Sequence, residues 1–194
     1  MELLVPAGDI NSFYVALKTS ADAIYLSGKM FGARSYAKNF TSDELKTVLR
    51  LGKIYGVKIY VTMNTLVKEN EVEDFLKEVE FLYNLGVDAI LMQDFGMISL
   101  CLEKYPNLTI HASTQVNSSS YETIKLLYEM GVKRVVLPRE MTIDEIKKID
   151  IPIELEVFIH GALCVSYSGN CLFSSMLGGR SGNRGECVGS CRLP

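Results

Sequence analysis

Four cysteines stand in the last 31 residues of this 194-residue chain: Cys164, Cys171, Cys187 and Cys191, spaced C-x6-C-x15-C-x3-C. A fifth, Cys101, lies far upstream in a helical pattern and reads as a small apolar residue packed on its helix. The opening Met1-Glu2-Leu3-Leu4-Val5 runs straight into Pro6-Ala7-Gly8-Asp9, with neither a basic n-region nor a long apolar h-region. The expected setting is therefore the cytoplasm, where thiols stay reduced. Clustered thiols there point to metal or redox chemistry rather than disulfides. Structural zinc favours two C-x2–4-C knuckles, and only Cys187-x3-Cys191 fits that spacing. The uneven spacing favours an iron–sulfur cluster, with zinc as the runner-up.

Hydrolytic chemistry has weaker support. The chain has no G-x-S-x-G and no H-E-x-x-H, and its only histidines are His111 and His160. A Cys164–His160 pair is conceivable, four residues apart at a strand end.

Such donors need a scaffold, and the rest of the chain supplies one. Hydrophobic residues make up 48% and charged residues 22%, enough for one sizeable core. The net charge of −3 argues against a wholly electrostatic nucleic-acid binder, though not against a local basic patch. No apolar run reaches the ~20 residues a membrane helix needs. A unit recurs: apolar run, turn, amphipathic stretch, Gly-Val, next apolar run. Gly56-Val57, Gly86-Val87 and Gly131-Val132 mark the joints, where a left-handed residue ends a helix. Strands are expected near Leu3–Val5, Ala23–Leu26, Ile59–Thr62, Ala89–Met92, Leu108–His111, Arg134–Leu137 and Ile153–Phe158. Helices are expected near Ser12–Thr19, Ser42–Tyr55, Val72–Leu85, Gly96–Lys104, Tyr121–Met130 and Ile143–Lys148, with capping chemistry at Thr41 or Ser42 and at Thr142.

Regular βα alternation without G-x-G-x-x-G after the first strand favours a TIM-type (β/α)8 barrel. The count stops at seven strands, so the barrel reads as truncated before its eighth. Residues 1–160 form the barrel part and 161–194 a Cys-rich segment at its mouth.

In such barrels chemistry sits at the C-terminal strand ends. Polar residues fall there: Asn64, Gln93-Asp94, His111 to Asn117, Arg139-Glu140 and His160. This predicts a polar pocket over an apolar barrel, with Asn64, His111, Gln115, Asn117 and Arg139 holding substrate. On the seventh strand Glu156 and His160 share a parity and should face one side, His160 above Glu156. A carboxylate there is costly unless paired. Glu156 is either an acid with a raised pKa or a partner for a cation such as Arg139. The loop Gly178 to Gly185, with Arg180 and Arg184, either grips a phosphate or links ligands.

The run Glu156-Val-Phe-Ile-His160-Gly-Ala-Leu-Cys164-Val-Ser-Tyr-Ser-Gly-Asn-Cys171-Leu-Phe173-Ser174 resembles the signature of the collagenase-like peptidases of family U-32. So do the opening Glu2 to Asp9, Ala21-Asp-Ala-Ile-Tyr-Leu26, Phe31-Gly-Ala-Arg34, and Gly179 to Gly185 with Cys187 and Cys191-Arg192. Phe173 stands where an aliphatic residue is usual. The resemblance covers essentially the whole chain. It implies a 4Fe-4S cluster on Cys164, Cys171 and Cys187, with the fourth ligand either Cys191 or a residue beyond Pro194. It implies oxygen-independent hydroxylation of an RNA base in tRNA or rRNA, with prephenate as the hydroxyl source. His160 and Glu156 are then the expected catalytic residues. The rivals are a collagenase-like peptidase and a non-catalytic RNA-binding subunit stabilised by zinc or a cluster.

Overall fold

The computed structural model describes residues 1–192. Its frame is one seven-stranded sheet in sequential order, every pairing parallel. The strands are β1 (Leu4–Pro6), β2 (Ala23–Ser27), β3 (Lys58–Met63), β4 (Ala89–Met92), β5 (Ile110–Ala112), β6 (Arg134–Val136) and β7 (Glu154–Glu156). Between them run α1 (Ile10–Leu17), α2 (Ser42–Tyr55), α3 (Val72–Leu85), α4 (Phe95–Lys104), α5 (Tyr121–Met130) and α6 (Ile143–Ile146).

The local signals act as the residues dictate. Thr41 and Thr142 form reciprocal capping boxes with Glu44 and Glu145, and α2, α3 and α5 end on left-handed Gly56, Gly86 and Gly131. The helices bury one stripe each: Leu45, Val48 and Leu49 on α2, Phe75, Val79 and Leu82 on α3, Ile124 and Leu127 on α5. These meet the outward strand residues Ile24, Leu26, Ile59, Val61, Ile90, Met92, Ile110, Ala112 and Val135 in one core.

The other face of the sheet turns inward. A smaller apolar cluster of Ala23, Tyr60, Ala89, Leu91 and Val136 lies there, with Leu4 and Tyr25 against it. Register places Leu91, His111, Arg134 and Glu154 in one row across β4 to β7. Arg134 Nη1 donates to Glu2 Oε1 at 2.6 Å, although Glu2 precedes β1 and Arg134 opens β6. Five flat strand spacings would separate them by about 24 Å. The wall is therefore curled into a barrel segment, and this pair crosses its interior.

The seventh strand is shorter than its apolar alternation predicts. Pairing ends at Glu156, and no eighth strand adjoins β7 among the described residues. Val157, Phe158 and Ile159 are exposed in consequence, as is Glu154. Beyond them, the segment carries a short helix missed by the sequence pattern, α7 (Phe173–Gly178).

Candidate functional site

Two polar layers occupy the inside of the barrel. The lower one is built around Arg134, whose guanidinium meets Glu2, Glu154 and, at 3.5 Å, Glu156. Tyr60 donates its hydroxyl to Glu2 at 2.9 Å, and Lys58 pairs with Glu2 at 3.1 Å. Burial works to raise the Glu2 carboxyl, yet hydrogen bonds from Arg134, Lys58 and Tyr60 outweigh it and hold Glu2 down at about 2. Glu156 goes the other way: burial raises its pKa against the weaker pull of Arg134. Arg134, not the expected Arg139, is thus the cation facing Glu156. His111 lies edge-on to Tyr60, ring centroids 4.8 Å apart, and is buried. Burial, reinforced by the Arg134 charge, lowers its pKa to about 3, so it is a neutral imidazole at physiological pH.

The upper layer lies at the strand ends. Asn64, just after β3, accepts from the Ala33 N–H at 3.0 Å and donates to Ser113 Oγ at 3.1 Å. Ser113 Oγ also accepts from the Gln115 N–H at 3.3 Å. Asn117 is held in a left-handed conformation (φ 58°), and its buried Oδ1 has no partner among the described residues. Asp94 caps α4 and accepts from the Val67 N–H, so its carboxylate organises loops.

Over this mouth lies the cysteine segment, fastened at both flanks. On one side Asn183 O accepts from Gln93 Nε2 at 3.1 Å, and Gly185 O accepts from Ser35 N–H and Oγ. Arg184 grips both Glu71 oxygens and donates to Leu66 O at 2.8 Å. On the other side Arg139, after β6, donates to Cys164 O, Ser166 O and Ser168 Oγ. Two glycines key the fit. Gly169 (φ +75°) lies so close that a Cβ would stand 2.2 Å from Gln115 O, and at Gly185 (φ +83°) one would stand 2.4 Å from Gly32 O. No side chain but hydrogen fits either place.

The cysteines are linked through local contacts of the segment. A Cβ on Gly182 would lie 3.5 Å from Cys171 O and 3.7 Å from Cys187 Cβ, so Cys171 and Cys187 flank that glycine. Ser174 Oγ is 3.8 Å from Cys187 Sγ. Arg192, next to Cys191, donates to Leu163 O beside Cys164. All four thiols are free, with Cys171 half-buried and the others exposed. No three His, Cys, Asp or Glu groups stand at metal-holding distance among the described residues. The donor set is all sulfur, and all-thiolate sets are the chemistry that holds zinc or iron–sulfur clusters.

Cys101 is buried, and burial pushes its thiol up to about 12, an inert packing residue as expected. His160 does not continue β7 above Glu156. The strand stops four residues earlier and His160 is exposed on the rim. Ser113 lies in the polar stretch expected after the fifth strand, whereas nothing in the sequence singles out Arg134 or Glu71 beyond a charged residue opening an otherwise apolar strand at Arg134. A hollow of about 460 Å³ beside Met1, Tyr55 and Lys58 lies at the wrong, N-terminal end of the strands for chemistry. A 320 Å³ cleft at the mouth, between Lys29, Phe31, Thr65, Glu71 and Arg184, lies at the right one.

A model of peptidase family U32 matches residues 8–194. The chain belongs to this family. It is 41% identical over its whole length to the 23S rRNA 5-hydroxycytidine C2501 synthase of Escherichia coli K12, covering 29% of that protein. It is 38% identical to tRNA hydroxylation protein P1 of Bacillus subtilis 168, over 98% of this chain and 46% of that one. The collagenase of Porphyromonas gingivalis W83 is 31% identical over 98% of this chain and 49% of its own. This U32 chain thus spans between about a third and a half of the curated relatives it matches. Among solved structures, the U32 peptidase Mk0906 superposes with a TM-score of 0.69 at 14% identity, over 81% of this chain and 68% of that one. The barrel frame is therefore shared with a solved U32 protein.

Proposed function

We propose that this U32 chain carries the barrel of an enzyme that hydroxylates a base in tRNA or rRNA in the cytoplasm. The observation that carries the reading is that this chain, along nearly its whole length, matches part of proteins named for tRNA and rRNA hydroxylation, together with a cysteine segment seated over the barrel mouth. In this reading Cys164, Cys171 and Cys187 hold a 4Fe-4S cluster, Cys191 is the candidate fourth ligand, and zinc is the alternative occupant. A bound cluster supplies one-electron chemistry at the mouth. The chain's own residues do the rest. The amides of Asn64, Gln115 and Asn117 offer the donors and acceptors that orient a flipped base, above a neutral His111 that is a poor proton donor. His160, exposed on the rim, is free to move a proton to or from solvent. Glu156 acts at a distance, its carboxyl facing Arg134 inside the barrel. Prephenate is the hydroxyl source in this reading.

The peptidase alternative has one relative named collagenase in its favour. Against it, neither His160 nor Cys164 makes a side-chain hydrogen bond among the described residues, so no nucleophile–base pair is formed there. Nucleoside mass spectrometry of tRNA and rRNA from a strain lacking the gene tests the proposal. A hydroxylated pyrimidine should fall at least ~10-fold. Wild type should restore it, and Cys164→Ser or His160→Ala should not. An unchanged nucleoside profile in the deletion strain contradicts the reading.

A further inference from the structure

We infer that Arg139 is a positioning residue for Cys164, fixing the loop that carries this thiol against the end of β6. The inference rests on the proposed metal-binding role of the cysteines and goes beyond it by naming what sets the first ligand in place.

The geometry is specific. Arg139 is only 16% exposed, and its guanidinium spans one turn of the segment: Nη1 to Cys164 O at 2.7 Å, Nη2 to Ser166 O at 3.1 Å and to Ser168 Oγ at 3.2 Å. Glu140 adds an ion pair to the same guanidinium at 3.6 Å. A planar guanidinium holding two carbonyls and a hydroxyl fixes the orientation of the chain between them. The Cys164 carbonyl is one of those acceptors, so the Cα of the ligand itself is pinned. Immediately beyond, Ser168 is buried and Gly169 is wedged against Gln115 O. Residues 164–169 are thus held at several points, whereas Leu163, Val165 and Tyr167 are largely exposed to solvent. With little apolar packing to hold this loop, its position rests on directional contacts: the Arg139 fork at Cys164, Ser166 and Ser168, the Arg192 bond to Leu163 O, and Gly169 against Gln115 O.

A lysine could reach one of these acceptors but could not span all three. Removing the fork should therefore free Cys164 without disturbing the wall, because Arg139 takes no part in the apolar core.

Two readouts on the 194-residue chain test this. The first needs no metal: amide hydrogen exchange of wild type, Arg139→Ala and Arg139→Lys. Arg139→Ala should speed exchange in residues 164–169 by ~10-fold or more, with β2 to β5 unchanged and Arg139→Lys between the two. The second uses Co²⁺ as the probe, with its thiolate charge-transfer band reporting bound sulfur. Arg139→Ala should weaken Co²⁺ binding ~10–100-fold. Its band should drop to that of Cys164→Ser, and the double variant should show no further loss. An Arg139→Ala chain with wild-type exchange and a wild-type band overturns the inference. So does one in which the wall strands loosen as much as the loop, since the anchoring is local. A wild-type chain that gives no thiolate band overturns the metal reading of the cysteines and the positioning role with it, while the exchange result still judges the anchor alone.

Discussion

The barrel wall and the cysteine segment are stabilised by different physics. From Leu4 to Glu156 the chain buries whole side chains: Phe13, Phe40, Phe75, Ile90 and Ile98 are essentially inaccessible. From Val157 to Arg192 only Ser168, Ser174 and Gly185 are buried, and no apolar side chain is. That segment is held by arginine forks and by two glycines that let backbone touch backbone. Burial is non-directional and tolerant, and it makes a rigid platform. Hydrogen-bonded docking is directional and carries little energy per contact. The segment that bears the candidate ligands is thus positioned without being locked into the core.

This contrast can be broken at the wall first. Phe75→Ala removes a fully buried ring packed edge-on to Phe31 and should cost about 3–5 kcal/mol in urea unfolding. A loss under 1 kcal/mol would mean that the wall is not the main store of stability. Gly169→Ala should cost less, about 1–3 kcal/mol, and only locally. Its Cβ cannot coexist with Gln115 O, so hydrogen exchange should rise across the segment while the wall stays protected.

Acid sharpens the comparison. His111 is about 3 in the fold against 6.5 in the unfolded chain, so below pH 6.5 the unfolded state takes the proton first and stability falls. The slope should approach ~1.4 kcal/mol per pH unit for that one group. Glu2, held at about 2, adds a loss of the same sign as pH falls below its unfolded value of 4.5. Glu156, raised by burial, has the opposite sign and offsets part of the His111 loss, because its folded form accepts a proton first. His111→Asn should flatten the decline between pH 6.5 and 4.5; an unchanged slope would remove His111 as its cause. At the small end, Leu163→Ala should change stability by less than ~0.5 kcal/mol, since the side chain is already in solvent.

The wall was legible in the sequence because its signals are periodic and local. Thr41, Thr142, Gly56, Gly86 and Gly131 mark helix ends where they were expected, and the β-branched runs became buried strands. The seventh strand was overextended because Ile153 to Phe158 alternates as a strand should, and alternation says nothing of whether a neighbour exists to pair with. Alternation alone therefore places His160 on the Glu156 face, where the structure does not. The choice between Arg134 and Arg139 has a related cause. Which arginine meets Glu156 depends on register, and register is set by the pairing of Val136 with Glu156 and of Arg134 with Glu154, not by proximity in sequence. The arginine and glycine contacts of the segment, such as that of Gly185 with Ser35 at 150 positions, join residues far apart in sequence and have no periodicity to betray them.

In the proposed reading Cys164, Cys171 and Cys187, with Cys191 as the candidate fourth ligand, hold iron and sulfide over the barrel mouth. Anaerobic reconstitution with Fe²⁺ and sulfide, followed by iron and sulfide quantification and a visible spectrum, addresses it directly. Wild type should hold about four irons with the broad absorption of a thiolate-bound cluster, and replacing Cys164, Cys171 and Cys187 together by serine should abolish both. Equal iron content and an unchanged spectrum in the triple variant would contradict the account.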